Sequence, residues 1–165
     1  MKTGLLVLGL IILGSTVSLA QSGKIASEWK CEKASMSNSI PVADEANHAY
    51  AISQFKCTAS KGEMAGAKEK EGTGTEFDDI KADNLTGHGV FVETLDSGDK
   101  IHISYQTTGT MKDGAMQSGS NRWHISDGTG KLKAAKGSGS CTGKGNADGS
   151  STWTCTGSYS VPKSK

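Results

Sequence analysis

GSGSCTGKGNADGSSTWTCTGSY, residues 137–159, alternates small and larger residues on both sides of one turn, Ala147-Asp148-Gly149. Asp favours a type I turn, and the Gly after it takes the left-handed position that completes a three-residue hairpin loop. Asn146 then faces Ser150, and counting outward along both strands brings Cys141 opposite Cys155. A cross-strand disulfide can form there if the pair is a non-hydrogen-bonded one. Turn chemistry and cysteine spacing are independent signals, and both specify the same antiparallel register.

The same turn recurs upstream. Lys112-Asp113-Gly114 and Asp96-Ser97-Gly98 end in the same left-handed glycine, so Lys100–Met111, Ala115–Ser126, Lys131–Lys144 and Ser150–Val161 read as a four-stranded meander. A three-residue loop at 112–114 sets Ile103 opposite Trp123 and Ile101 opposite Ile125, all on one apolar face that Tyr105 shares. His102 and His124 then face each other on the opposite side. Earlier in the chain, Lys24–Lys33, His48–Ser60, Thr73–Ile80 and Gly87–Leu95 carry strand patterns. Ser35–Asn47 reads as a loop, and Met64–Lys70 as a loop or short helical turn. Tyr50 and Ile52 are out of phase with Phe55 and Cys57, and a bulge near Ser53–Gln54 would reconcile them. The count reaches about eight strands.

The first twenty residues predict export. Lys2 precedes an uncharged apolar run, Gly4–Gly14, and Ser18-Leu19-Ala20 offers small residues to a signal peptidase. A run of about eleven residues is too short for a membrane span, which needs roughly 20. Cleavage after Ala20 leaves residues 21–165 as one domain with no membrane attachment, secreted or periplasmic. Four cysteines, Cys31, Cys57, Cys141 and Cys155, suit an oxidising compartment. They allow three pairings, of which sequence neighbourhood favours Cys31 with Cys57 and Cys141 with Cys155. A zinc site is disfavoured, since no CxxC occurs and no His adjoins any cysteine.

Twenty-two glycines and two prolines suit short strands and tight turns rather than a helical bundle. Charge is unevenly placed. Residues 21–99 hold eight Lys against fourteen Asp and Glu, and residues 100–165 hold eight Lys and Arg122 against three Asp. One arginine and few interleaved aromatics make nucleic acid an unsuitable partner. No cofactor motif is found: 137–143 lacks the GK[ST] ending of a phosphate loop.

At Asp127-Gly128-Thr129-Gly130-Lys131-Leu132-Lys133-Ala134-Ala135-Lys136-Gly137, the sequence resembles the G-T/S-G-x-F-x-x-A/V-x-G signature of the allene oxide cyclase and dirigent-like barrels, with Leu132 in place of the aromatic residue. The meander ending in Gly157-Ser158-Tyr159 is similar to exported bacterial proteins of that type. The resemblance implies an all-β fold, a small antiparallel eight-stranded barrel of allene oxide cyclase or lipocalin kind, here stapled by disulfides. Eight strands enclose a packed interior or one small ligand. The resemblance transfers no catalytic residue, and catalytic positions stay unassigned.

Candidate site residues follow from strand position. His48 and Tyr50 open a strand, where they could line a barrel mouth. Tyr105 and Trp123 lie on the apolar face, and Glu93 shares parity with Phe91 and Leu95, the one strand carboxylate that could be buried. His102 with His124 is a weak metal pair, because no third ligand is placed nearby and a solvated pair is the simpler reading. His88 reads as a turn-flanking residue. Glu76 and Asp78 share a face and read as part of a solvated acidic strand. These residues point to a non-enzymatic barrel that holds a small apolar or amphipathic ligand. The alternatives are a cyclase- or dirigent-like enzyme steering a reactive intermediate, and a filled structural barrel.

Overall fold

The computed structural model describes residues 21–162; the predicted signal peptide, 1–20, lies outside the described residues. The 137–159 hairpin forms as its turn requires. Strands β9 (Lys136–Gly145) and β10 (Ser151–Val161) pair with Cys141 opposite Cys155, and the Asn146 N–H donates to the Ser150 carbonyl at 2.8 Å. Gly149 takes φ +83°, the left-handed conformation expected of it. Strands β1 (Gln21–Cys31), β2 (Met36–Pro41), β3 (His48–Lys61), β4 (Glu63–Met64), β5 (Ala67–Lys81), β6 (Asn84–Leu95), β7 (Lys100–Lys112) and β8 (Ala115–Gly128) precede it.

Eight of these strands close a ring in the order β1-β10-β9-β8-β7-β6-β5-β3 and back to β1. Closure falls to β3. Its first half pairs with β5 on one edge and β2 on the other, and its second half pairs with β1. An eight-stranded antiparallel barrel results, with β2 and β4 as short additions. Disulfides Cys31–Cys57 and Cys141–Cys155 staple β1 to β3 and β9 to β10.

Four local expectations are corrected. Lys112 ends β7 instead of entering the loop, leaving a two-residue turn with Asp113 at φ +52° and Gly114 at φ +76°. Two left-handed residues make the turn whose twist matches the flanking strands. With a bulge between Thr110 and Met111, Ile103 faces Ile125 and Tyr105 faces Trp123. The slip is two residues, so the apolar face is as expected while each partner differs. Secondly, β3 pairs with β5 without a bulge from His48 opposite Lys81 to Thr58 opposite Glu71. Its odd-numbered residues point inward, which leaves Tyr50 51% exposed. Thirdly, β2 lies inside the expected loop 35–47, and residues 64–70 form a hairpin through Ala65-Gly66. Finally, residues 130–132 form a 3-10 turn before β9 begins, and it buries Leu132.

That turn closes one end of the barrel. Leu132, Ala135, Met64, Leu95 and Ile101 are all at most 1% exposed and form the densest part of the core. The Ala65 N–H donates to the Tyr159 hydroxyl at 2.8 Å, tying the β4–β5 hairpin to β10 across the floor. Above this plug the narrow interior holds large rings because glycine lies against them. A Cβ on Gly72 would sit 2.1 Å from the Phe91 ring, and one on Gly143 would sit 2.5 Å from Trp153.

Candidate functional site

The barrel axis carries a cavity of about 90 Å³ above the apolar plug. Its wall is mainly aromatic: Trp29, Phe55, Phe91, Tyr105, Trp123 and Trp153. Trp29 and Phe91 meet edge to face with ring centroids 5.2 Å apart, which fixes both rings. Both disulfides also face this space. The rings point inward because the strand period is two and each occupies the buried phase of its strand.

Polar groups break this apolar wall, and those that ionise are acidic. Glu69 comes from β5 and Glu93 from β6, the latter 2% exposed and opposite Gly72. A bulge between Glu69 and Glu71 puts Glu69 in phase with the later inward residues Glu76 and Asp78. Glu93 Oε1, Glu69 Oε2, Tyr105 OH, Asn121 Oδ1 and Trp123 Nε1 are buried without a protein hydrogen-bond partner. Unpaired polar atoms of this kind are costly in a folded protein, at roughly 1–3 kcal/mol each.

Burial dominates the acid–base state of the lumen. It pushes the Glu69 carboxyl up to about 7, with the Ser27 hydroxyl partly offsetting the rise. It pushes Glu93 well above the usual carboxylate range, and the charge of Glu69 adds to the rise. Asp78 rises to about 8 through burial and the neighbouring Glu76. Burial, then the negative charge of Glu76 and Asp78, raises the Tyr105 phenol far above its ordinary value. At neutral pH the lumen therefore holds carboxylic acids in their protonated form, able to donate as well as accept.

Three expected site residues, Glu93, Tyr105 and Trp123, come together on the cavity wall. Two do not. His48 and Tyr50 lie in the outward phase of β3. The His48 ring bridges Glu45 Oε2 through Nδ1 and Asp79 Oδ1 through Nε2, both at 2.8 Å, and both carboxylates raise its pKa. The His102–His124 pair is undone by the register, since His102 faces Asp127 and His124 faces Ser104. Among the described residues no three His, Cys, Asp or Glu side chains form a metal-ion set. His88 lies within β6 and stacks on Phe77, with ring centroids 6.0 Å apart. The acidic strand is not wholly solvated: Asp78 is buried and Glu76 lines the cavity. Glu69, Trp29, Phe55 and Asn121 are further wall residues that sequence reasoning missed. Glu69 alone left a trace, lying out of phase with Glu76 until a bulge is allowed.

No protein-family model and no curated protein matches the chain. Among solved structures, the pterocarpan synthase dirigent protein GePTS1 superposes with a TM-score of 0.49 at 11% identity, covering 98% of this chain and 100% of that one. The pterocarpan synthase dirigent protein PsPTS1 gives a TM-score of 0.49 at 10% identity, covering 87% of this chain and 97% of its own.

Proposed function

We propose that the protein binds one small amphipathic molecule inside the barrel and does so without transforming it. One observation carries this reading: buried polar atoms without protein partners are aimed into an aromatic-walled cavity. A ligand with an apolar body and a few polar atoms would cover the rings and pair those groups, and the unliganded cost of leaving them unpaired becomes binding energy. A filled structural barrel would have no use for that cost. Two disulfides are consistent with an oxidising compartment. With the signal-like segment at 1–20, they support export and cleavage after Ala20, to the periplasm or outside the cell.

Native mass spectrometry of the protein purified from its own compartment tests both parts. The expected mass is that of residues 21–165 with two disulfides, plus an adduct that is lost on denaturation. An adduct-free protein whose tryptophan emission also ignores a panel of single-ring amphiphiles would defeat the binding reading.

A second reading, a cyclase- or dirigent-like enzyme, rests on the raised Glu69 and Asp78. Carboxylic acids still protonated near neutrality are suited to general acid catalysis. Recovery of a chemically altered ligand after incubation, lost in Asp78→Asn, would favour the enzyme. Unchanged ligand would favour binding alone.

A further inference from the structure

We infer that the lumen is selective for an organic ammonium ion, a single-ring amine whose charged head sits between Glu69 and Glu93 with its ring among the aromatic side chains. The inference rests on the small-ligand reading above and names the ligand class. The ionisable groups facing Glu93 are Glu69 and Glu76 from β5 and Tyr105 from β7, with Asp78 further along β5. No Lys, Arg or His lines this cavity, so nothing on its wall supplies the positive partner that two buried carboxylates need. An incoming ammonium would supply it. Glu93 is 2% exposed, with Oε1 unpartnered, and Glu69 Oε2 beside it is also unpartnered.

The rest of the wall selects among cations. Six aromatic rings offer negative faces to an organic ammonium, which binds them better than a hydrated inorganic ion does. The described residues gather no set of three metal-ligating side chains, which disfavours a divalent metal. Tyr105 OH, Asn121 Oδ1 and Trp123 Nε1 are also unpartnered, so a second polar atom on the far side of the ligand ring would be paired. A cavity of about 90 Å³ suits one ring rather than a fused system.

Binding has a proton signature. In the free protein these acids are protonated at neutral pH, and a bound ammonium favours their ionised form. A proton then leaves to solvent as the amine enters. Affinity for an amine therefore rises with pH until the free carboxyls ionise unaided, while affinity for an uncharged analogue has no such rise.

Isothermal titration with tyramine and with tyrosol, its uncharged hydroxyl counterpart, tests this on the disulfide-intact protein. Titrations at about pH 6 and about pH 8, in buffers of different ionisation enthalpy, resolve the released proton. Tyramine is expected to bind at least about tenfold tighter than tyrosol at the higher pH, with a smaller advantage at the lower. Glu93→Gln should remove most of that advantage and the proton release while leaving tyrosol binding intact. Tyrosol binding as tightly as tyramine, or tyramine binding with no proton released, would overturn the ammonium inference and leave the small-ligand reading standing. Binding of neither compound would overturn both.

Discussion

Glu69 illustrates how one residue's position can govern the pH response of the molecule. Its carboxyl is raised to about 7 from 4.5 by burial, so the folded state holds its proton more tightly than the unfolded chain does. A raised pKa contributes stability that is complete below the unfolded value and lost as pH rises through the folded one. For Glu69 that loss is on the order of 3 kcal/mol between about pH 4.5 and above pH 7. Glu93 shifts in the same direction, as does His48 on the outer face. Glu45 and Asp148 are lowered and act oppositely, losing their stabilisation in acid. Thermal melts should therefore show greatest stability near about pH 5 and a falling midpoint toward about pH 8. Glu93→Gln should flatten that fall. A wild-type midpoint that rises steadily from pH 5 to pH 8 would show that these carboxyls are not held protonated.

At the scale of the element, two hairpins carry separable predictions. Cys141–Cys155 closes a loop of 14 residues, and replacing both cysteines by serine should cost about 2–4 kcal/mol in urea denaturation without changing the strand signal in circular dichroism. Asp113 sits at φ +52°, a conformation that β-branched residues resist. Asp113→Val should destabilise by about 1–2 kcal/mol, whereas Asp113→Gly should be nearly neutral, read by the same denaturation. Equal effects of the two substitutions would argue against the two-residue turn. Residues 112–114 show where legibility stops within an element. Asp-Gly marks a turn in either case, but whether Lys112 pairs or loops depends on the bulge at Thr110–Met111. The face was therefore legible and the partners were not.

Over the whole molecule, ring closure sets both rigidity and the size of the site. Amide exchange should be slowest in β6, β7 and β8, which are paired along both edges, and fast in β2, whose six residues are all exposed. Slow exchange throughout Met36–Pro41 would mean that something else covers that edge. The interior is equally constrained. Gly72→Val would force the Phe91 ring aside, with an expected cost of about 1–3 kcal/mol and loss of ligand-dependent tryptophan emission.

The sequence by itself determined what depends on local backbone chemistry. Gly149 and Gly98 adopt φ +83° and +86°, as a left-handed loop position demands, and the Ala147-Asp148-Gly149 loop alone placed Cys141 opposite Cys155. Alternation assigned Ile101, Tyr105, Trp123 and Ile125 to one buried face because a strand's period is two. Only the tertiary structure decided which polar strand faces turn inward. Glu76 and Asp78 alternate identically whether they face water or lumen. They turn inward because β3 meets both β1 and β5, and closing the ring commits one face of every strand to the inside. Glu69 joins them through a bulge that only the pairing of β5 with β6 defines. The acidic, aromatic lumen is thus a consequence of closure, a relation among strands far apart in the chain that local sequence signals do not carry.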